Sequence, residues 1–526
     1  MLVGYVSDER YIALIDVLFE FEREGQVVAA RSGASGAVYA DLAPGIYQVT
    51  VAKDGFGAKI VDVDVQEGSV HQFRLLSDCL LGYMWPKCVK VGEEAEFRVH
   101  SPEAYKLELW RYGWKKEFIK TIGWYDEHGP RATVQLSPDG DYSQTGVQWN
   151  TFGYTSPFHK QYVKAPERSG LYYLHATGES GAFFSFPWVV APEKPKADIA
   201  VLASDISWTA YNNFGGRSNY IHPDQLPETP TSNARLQLNR YTNPEHVNYG
   251  SDTYLPLSFD RPELVNYVGK DVSVTDPIEG RSGCHLAPAE WRLLGWLERE
   301  GFDYDYYSET QFHFDKLDLD AYRILIISTH PEYWSRSMYD RLKSWVFEGG
   351  GKLLYLGGNG LNCEVAFLDE ATMVVQNGNG YQMRKHGTES RMAFRNESEA
   401  NLLGVQFTSP GIMTSAPYQV IDADHWVFAG TGVKNGDMFG EKSLHERVPG
   451  GASGHETDKI MPESPSNTHL LAQGLNGNNG GADMVVFDTD SGGTVFSVGS
   501  ITYVSSILVD DVVSDITANV LRKFLG

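Results

Sequence analysis

The sequence predicts a multidomain protein: two β-sandwich-like modules followed by an α/β domain with a mostly parallel sheet. Three observations carry this reading. Up to about residue 195, apolar and polar residues alternate with the period of half-buried strands. Beyond it, short apolar runs alternate with helical stretches, as in a parallel sheet covered by helices. Between the two lies Ala191-Pro192-Glu193-Lys194-Pro195-Lys196, a charged segment punctuated by proline. A chain of 526 residues exceeds one ordinary domain. The expected divisions are 1–78, 79–195 and 196–526.

In the first module, Pro44-Gly45 makes a turn and Ile46–Val51 alternates as a strand. This resembles the small β-sandwich of carboxypeptidase-regulatory modules and implies a packing role. In the second module, Ala95–His100, Lys106–Arg111 and Gly170–Ala176 repeat the alternation. The Gly/Tyr/Trp-rich stretch Asp139–Tyr154 does not alternate, and reads as a loop reaching another domain or a partner. In the third domain, strands are expected at Asp198–Ala203, Tyr304–Tyr307, Ile324–Ile327, Lys352–Leu356, Met484–Asp488 and Gly493–Val498. Helices are expected over Pro288–Gly301, Ser337–Glu348 and Val512–Phe524. The first of these puts Trp291, Leu294 and Leu297 on one side and ends at a glycine.

Composition narrows the function classes. The net charge of −24 argues against nucleic acid and against an anionic membrane surface. The four cysteines, Cys79, Cys88, Cys284 and Cys363, form no CxxC pattern, which fits a reducing compartment. The first ten residues carry acids where a signal peptide needs a basic start. No apolar run approaches the roughly 20 residues that span a bilayer. A soluble, cytoplasmic protein is expected.

The chemistry is expected at the tips of two strands. Ile324–Ile327 runs straight into Ser328-Thr329-His330-Pro331-Glu332-Tyr333-Trp334. Lys352–Leu356 ends in Gly357-Gly358-Asn359-Gly360. In open α/β sheets, ligands bind at that edge, so His330, Glu332 and Asn359 are candidates for an active site. The polar stretch Ser207–Tyr220 follows the first strand of this domain and reads as a ligand-side loop. Its Gly215-Gly216 has no GK[ST] after it, so it is not a phosphate loop.

The order of these elements resembles a class I glutamine-amidotransferase-like fold, in which such a glycine-rich tip carries a nucleophilic cysteine. The tip here has none; Cys363 lies three residues beyond it. Four motifs taken together are similar to the large (beta) subunit of the N,N-dimethylformamidase family. They are Tyr211–Ser218, Leu257–Pro262, His330–Trp334 and Gly357–Gly360. The likeness extends into the preceding β unit, over Tyr105–Trp114 and Gly123–Arg131, and so covers roughly residues 79–526.

That resemblance implies an amidohydrolase with one iron, ferric and mononuclear, held by two tyrosinates and a glutamate. Carried over by motif, the ligands are Tyr211, Glu332 and Tyr254, with Tyr249 as the alternative for the last. Phenolate and carboxylate are hard oxygen donors suited to such an ion. An iron-bound hydroxide would attack the formyl carbon of a small N-alkylated formamide such as N,N-dimethylformamide, giving formate and an amine. His330 is a candidate base or supporting donor, and Asn359 a donor to the carbonyl oxygen as it becomes an oxyanion. Glu456 resembles the family's proton donor to the departing amine, and Phe496 is a candidate apolar wall for the substrate. The family's large chains are longer and work with a small partner subunit, which leaves room for a separate subunit in a homo- or hetero-oligomer. Two rivals stay open at this point. One is a non-catalytic carbohydrate-binding or assembly protein with a degenerate amidotransferase-like domain. The other is a hydrolase with Cys363 as nucleophile, which would need a base partner; adjacency alone does not make Cys284-His285 a dyad.

Overall fold

The structure is a computed structural model that describes residues 1–125, 137–148, 161–232, 254–278, 280–376 and 392–526. It holds two β-rich modules and a mixed α/β domain. In the first module, sheets of three and four strands close on one core that includes Val3, Phe19, Phe21, Val49 and Phe73. In the second, sheets of three and five strands share Phe97, Leu107, Leu109 and Trp188. Among the described residues, no sheet mixes strands from the two sides of residue 78 or of residue 195. Among the described residues, the one ladder-like link from the first module to the third domain is the isolated bridge Ile12–Thr231.

A nine-stranded sheet organises the α/β domain. Its order is Asp305–Ser308, Ile199–Ala203, Ile324–Thr329, Lys352–Gly357, Thr494–Ser497, Asp483–Asp488, His469–Gly474, Tyr418–Val420, Met438–Phe439. The first five are mutually parallel and the rest antiparallel. All six expected strands and all three expected helices are present, with ends shifted by a few residues. The parallel strands are buried along nearly their whole length, which is why they read as continuous apolar runs. Strand order reverses at Ile199–Ala203, which has the next strand in sequence on one side and Ile324–Thr329 on the other. The crevice beyond their C-terminal ends is therefore the topological switch point, the place where open α/β sheets bind ligands.

One expectation changes. Helix Ala287–Arg299 is buried on every side from Ala287 to Leu297, not along a single stripe. The second β module packs on the Trp291 side: Trp291 Nε1 donates to the Gly113 carbonyl at 2.8 Å, and the Tyr112 ring lies 4.6 Å from the Trp291 ring. Gly301 follows with φ of +78°, the left-handed turn that glycine supplies at little cost.

Residues 139–148 of the Asp139–Tyr154 stretch reach two other units, as its composition suggested; residues 149–154 lie outside the described residues. Asp139 pairs with Lys59 of the first module at 2.6 Å. Asp141 pairs with the fully buried Arg217 of the third domain at 2.9 Å. Arg217 also donates to the carbonyls of Leu255, at 3.2 Å, and Pro256. Burial alone would raise the Asp141 carboxyl. The charge of Arg217 and hydrogen bonds from Ser143, Gln144 and Arg217 outweigh it and hold the group below the ordinary carboxylate range. Its stabilising effect is therefore full at neutral pH and is lost as pH falls through the acid range. We expect Asp141→Ala, which leaves the Arg217 guanidinium buried without its counter-charge, to destabilise the fold by roughly 3–5 kcal/mol. Chemical denaturation at neutral pH checks this, and the gap from the parent protein should narrow as the pH is lowered.

Candidate active site

Three chain segments meet at the switch point. Ile199–Ala203 feeds helix Asp205–Tyr211, which ends on Tyr211. Ile324–Thr329 feeds His330–Tyr333. Lys352–Gly357 feeds the glycine-rich tip. The last two tips are zipped together: Gly358 N donates to Thr329 O, Leu361 N to Pro331 O and Cys363 N to Glu332 O, at 2.8–3.1 Å. A Cβ on Gly357 would stand 2.8 Å from Thr329 O, so only glycine permits this approach. Thr329, Asn359 and Leu361 have φ of +63°, +53° and +56°. Left-handed backbone at non-glycine residues costs on the order of 1–3 kcal/mol each and gathers at functional sites.

The structure brings together most of the residues singled out in the sequence. Tyr211 Oη donates to Glu332 Oε2 at 2.8 Å and lies 2.9 Å from His330 Nε2. His330 Nε2 is 2.9 Å from Glu332 Oε2 and 3.6 Å from Glu456 Oε2. Its Nδ1 lies 3.1 Å from the Gly358 carbonyl, which keeps a proton on Nδ1 and aims Nε2 into the site. Asn359 Nδ2 donates to Glu456 Oε2 at 2.7 Å, while its buried Oδ1 has no hydrogen-bond partner. As placed, Asn359 spends one of its two Nδ2 protons on Glu456. Glu332 N donates to Ser207 Oγ at 3.1 Å, tying the carboxylate's backbone to the Tyr211 helix.

Two further phenols complete the cluster. Tyr220 Oη lies 2.8 Å from Tyr211 Oη and 2.8 and 2.7 Å from Glu332 Oε1 and Oε2, and donates its one proton to the carboxylate. Tyr333 Oη donates to Tyr220 Oη at 2.8 Å. Neither was singled out from sequence. Tyr220 lies only nine residues after Tyr211, in the same polar stretch, and Tyr333 sits inside the His330–Trp334 motif. Their place in that pattern was the available signal. Tyr254 is buried in the domain's main core. The next residue, Leu255, donates its N–H to Pro223 O at 2.8 Å, so Tyr254 belongs to a segment fastened beside the one that carries Tyr220. Tyr249 lies outside the described residues. Phe496 stands in mid-strand, level with Leu354 and Val486, fully buried below the tips. Cys363 is buried with its Sγ 3.7 Å from Glu332 Oε1, a neighbour that opposes thiolate formation. The His285 ring packs 4.6 Å from Tyr211 and 5.4 Å from His330.

Electrostatics set the resting protonation. Burial would raise Glu332, but hydrogen bonds from His330, Tyr220 and Tyr211 and the charge of His330 hold it below the carboxylate range. Burial would lower His330, but the charge of Glu456 and its contacts with Glu332 push it up to about 9. Burial first, then the charge of Glu332, drives the Tyr220 phenol well above its ordinary range. Such a phenol ionises at neutral pH only beside a strong positive charge. Among the described residues, no group of three or more His, Cys, Asp and Glu side chains is placed to hold a metal ion. A metal here would be held through tyrosine oxygens together with Glu332, and that oxygen-only donor set suits a hard cation.

A family model described as N,N-dimethylformamidase beta subunit-like, C-terminal, matches residues 106–514. The N,N-dimethylformamidase beta subunit of Paracoccus aminophilus is 27% identical over 406 residues, covering 64% of this chain and 50% of its own length. That of an Alcaligenes species is 26% identical over the same extent. The chain thus spans about half the length of the curated relatives it matches. A solved DUF3823 family protein from Bacteroides ovatus overlaps 36% of this chain and 98% of its own, at 9% identity and a TM-score of 0.13, too low to bear on the fold. With a family model matched across residues 106–514 of 526, the chain belongs to the N,N-dimethylformamidase beta subunit-like family.

Proposed function

We propose that this chain is an amidohydrolase that cleaves the C–N bond of a small N-alkylated formamide, N,N-dimethylformamide or a close relative, to formate and an amine. The observation that carries this is the convergence of Tyr211, Tyr220 and Glu332 oxygens at 2.7–2.8 Å, directly beside the paired Asn359 and Glu456. We read the oxygens as the seat of one ferric ion, held by Tyr211, Glu332 and a second tyrosine. Tyr254 is the second ligand by family resemblance; Tyr220 is the competing assignment because of its contacts. When bound, the ion would polarise the amide carbonyl and acidify water.

The chain's own groups manage the protons. A water oxygen bonds to the formyl carbon as the C–N bond breaks, and one water proton must reach the amine nitrogen. Glu456 Oε2, partly exposed and 3.6 Å from His330 Nε2, is placed to take that proton and pass it on. His330 Nε2 holds a proton between Glu332 and Glu456. Asn359 orients Glu456 through one Nδ2 proton in the resting site, and the other would serve as oxyanion donor to the carbonyl oxygen. Phe496, from its place below the tips, would act on the substrate only as backing for the apolar wall.

The finer architecture and assembly are proposals of the same kind. Two sheets around one core support reading residues 1–78 and 79–195 as β-sandwich modules. A parallel sheet with its site at the switch point supports an amidotransferase-like catalytic domain over 196–526. The relatives' description as beta subunits supports a separate partner subunit in an oligomer. No helix among the described residues is long and apolar enough to cross a membrane, and a cytoplasmic location remains our reading.

Purified protein should carry about one iron per chain and show a visible tyrosinate-to-ferric band. Tyr211→Phe and Glu332→Ala should each abolish the band and most of the iron, and comparing Tyr254→Phe with Tyr220→Phe should identify the second ligand. Stoichiometric zinc with full activity, in protein made with ample iron, would sink the assignment. A second test separates binding from chemistry. Asn359→Ala and Glu456→Gln should keep the iron while kcat falls by about 10²–10³, the usual cost of losing one oxyanion donor or acid–base group. The Glu456 variant should suffer most with poor amine leaving groups. Near-normal rates in both iron-loaded variants would rule out this division of labour.

A further inference from the structure

Glu456 lies in the bend just before the strand Thr457–Lys459, and Asp458 is the middle residue of that strand. Both carboxylates reach the same target. Glu456 accepts from the Asn359 side chain at 2.7 Å, and Asp458 Oδ1 accepts from the Asn359 backbone N at 2.8 Å. Asp458 Oδ2 accepts from Tyr355 Oη at 2.7 Å, and Tyr355 Oη in turn accepts from Gly360 N at 2.7 Å. The two successive N–H groups of the tip are thus held by one carboxylate, once directly and once through a phenol. Asp458 is only 1% exposed and Tyr355 fully buried. The tip has no slack in the other directions. A Cβ on Gly358 would stand 2.5 Å from Glu456 O, and one on Gly360 would stand 2.7 Å from the Tyr355 ring. Left-handed backbone at Asn359 is unfavourable unless surrounding contacts impose it, and these hydrogen bonds impose it.

We propose that Asp458, with Tyr355, is a positioning residue that presents the Asn359 side chain to Glu456 and to the substrate. The proposal rests on the amidohydrolase reading for its consequence, but the bracket itself is a property of the fold. Asp458→Asn cannot serve both contacts. Its amide nitrogen would meet the Tyr355 hydroxyl, which already accepts from Gly360 and needs an acceptor for its own proton. Tyr355→Phe removes the phenolic half and leaves Asp458 in place.

Two readouts on the iron-loaded full chain test this. In hydrogen exchange, the amides of Asn359 and Gly360 should lose protection in Asp458→Asn, and that of Gly360 in Tyr355→Phe. In kinetics, Asp458→Asn should lower kcat by up to about 10²-fold, the cost of misplacing a catalytic group by about 1 Å, with KM little changed. In an Asn359→Ala background, the same Asp458→Asn change should alter kcat by no more than about twofold, the scatter of independent sites. A merely structural aspartate would slow both backgrounds equally, and that result overturns the proposal. So does loss of the tyrosinate band in Asp458→Asn, which would place its action on the metal cluster. If Asp458→Asn does not fold, unchanged exchange and unchanged kcat in Tyr355→Phe overturn it too. Parent protein without amidase activity but with the expected exchange losses would sustain the bracket and remove the hydrolase reading instead.

Discussion

Burying the Glu332 carboxylate is the constraint around which the domain is arranged. The group is 2% exposed, just beyond the tips of two paired parallel strands. An isolated ionised carboxylate in such a place is far too costly to persist without partners. Here it keeps its charge because Tyr211, Tyr220 and His330 converge on its two oxygens. Each of those partners then needs support of its own. Tyr211 is delivered by the helix leaving the first strand of the sheet. His330 is oriented by the Gly358 carbonyl, and Tyr220 by the Tyr333 hydroxyl. The need to satisfy one buried charge thus links three strand exits that are far apart in sequence.

The same logic gives the N-terminal modules a bearing on the site. The segment between Tyr211 and Tyr220 contains Arg217, whose buried guanidinium is held by Asp141 from the second module's loop. That loop is anchored through Asp139 to Lys59 of the first module. Arg74 of the first module adds a hydrogen bond to the Gly215 carbonyl at 3.0 Å, within the same segment. The backbone that carries Tyr220 is therefore clamped from outside its own domain. Placement of functional groups to within a fraction of an ångström needs such backing, and a lone α/β domain would lack it on this side.

How much of this could be read from the sequence follows from which signals are local. The parallel strands announce themselves because residues buried on both faces leave unbroken β-branched runs, as in Ile324–Ile327. The exits His330–Glu332 and Gly357–Gly360 were legible because polar groups follow such runs immediately. Helix Ala287–Arg299 was placed correctly but its surroundings were not. Its sequence contains Glu290 and Arg292, both buried in the structure, and charged residues are normally taken to mark an exposed face. Glu290 is accommodated by hydrogen bonds from Trp208 and Tyr306, at 2.9 and 3.3 Å, partners that only the fold reveals. Tyr220 and Asp458 were missed for a related reason. One tyrosine among 29 carries no mark of its function, and Asp458 acts on a backbone amide 99 residues away. The short strands between residues 406 and 459 also escaped notice, since two- and three-residue strands carry too little pattern to register.

Those short strands explain why the site has two halves of different character. Ser453–Gly454 and Thr457–Lys459 pair with strands just after residue 405, outside the main sheet. They bring Glu456 over the tips of strands that belong to that sheet. The half with Tyr211 and Glu332 is built on the rigid parallel core, where a metal's ligands need fixed geometry. The half with Glu456 arrives on a segment with its own left-handed residue, His455 at φ +68°. Glu456 and Tyr220 are partly exposed, whereas Tyr211, Glu332, His330 and Asn359 are buried. Under the proposed function, a proton donor that exchanges with water gains from that exposure, and a carboxylate that keeps its charge gains from burial among donors. The proposed function would divide the two halves between holding and proton transfer, and Asn359, gripped by the second half while rooted in the first, is where they are joined.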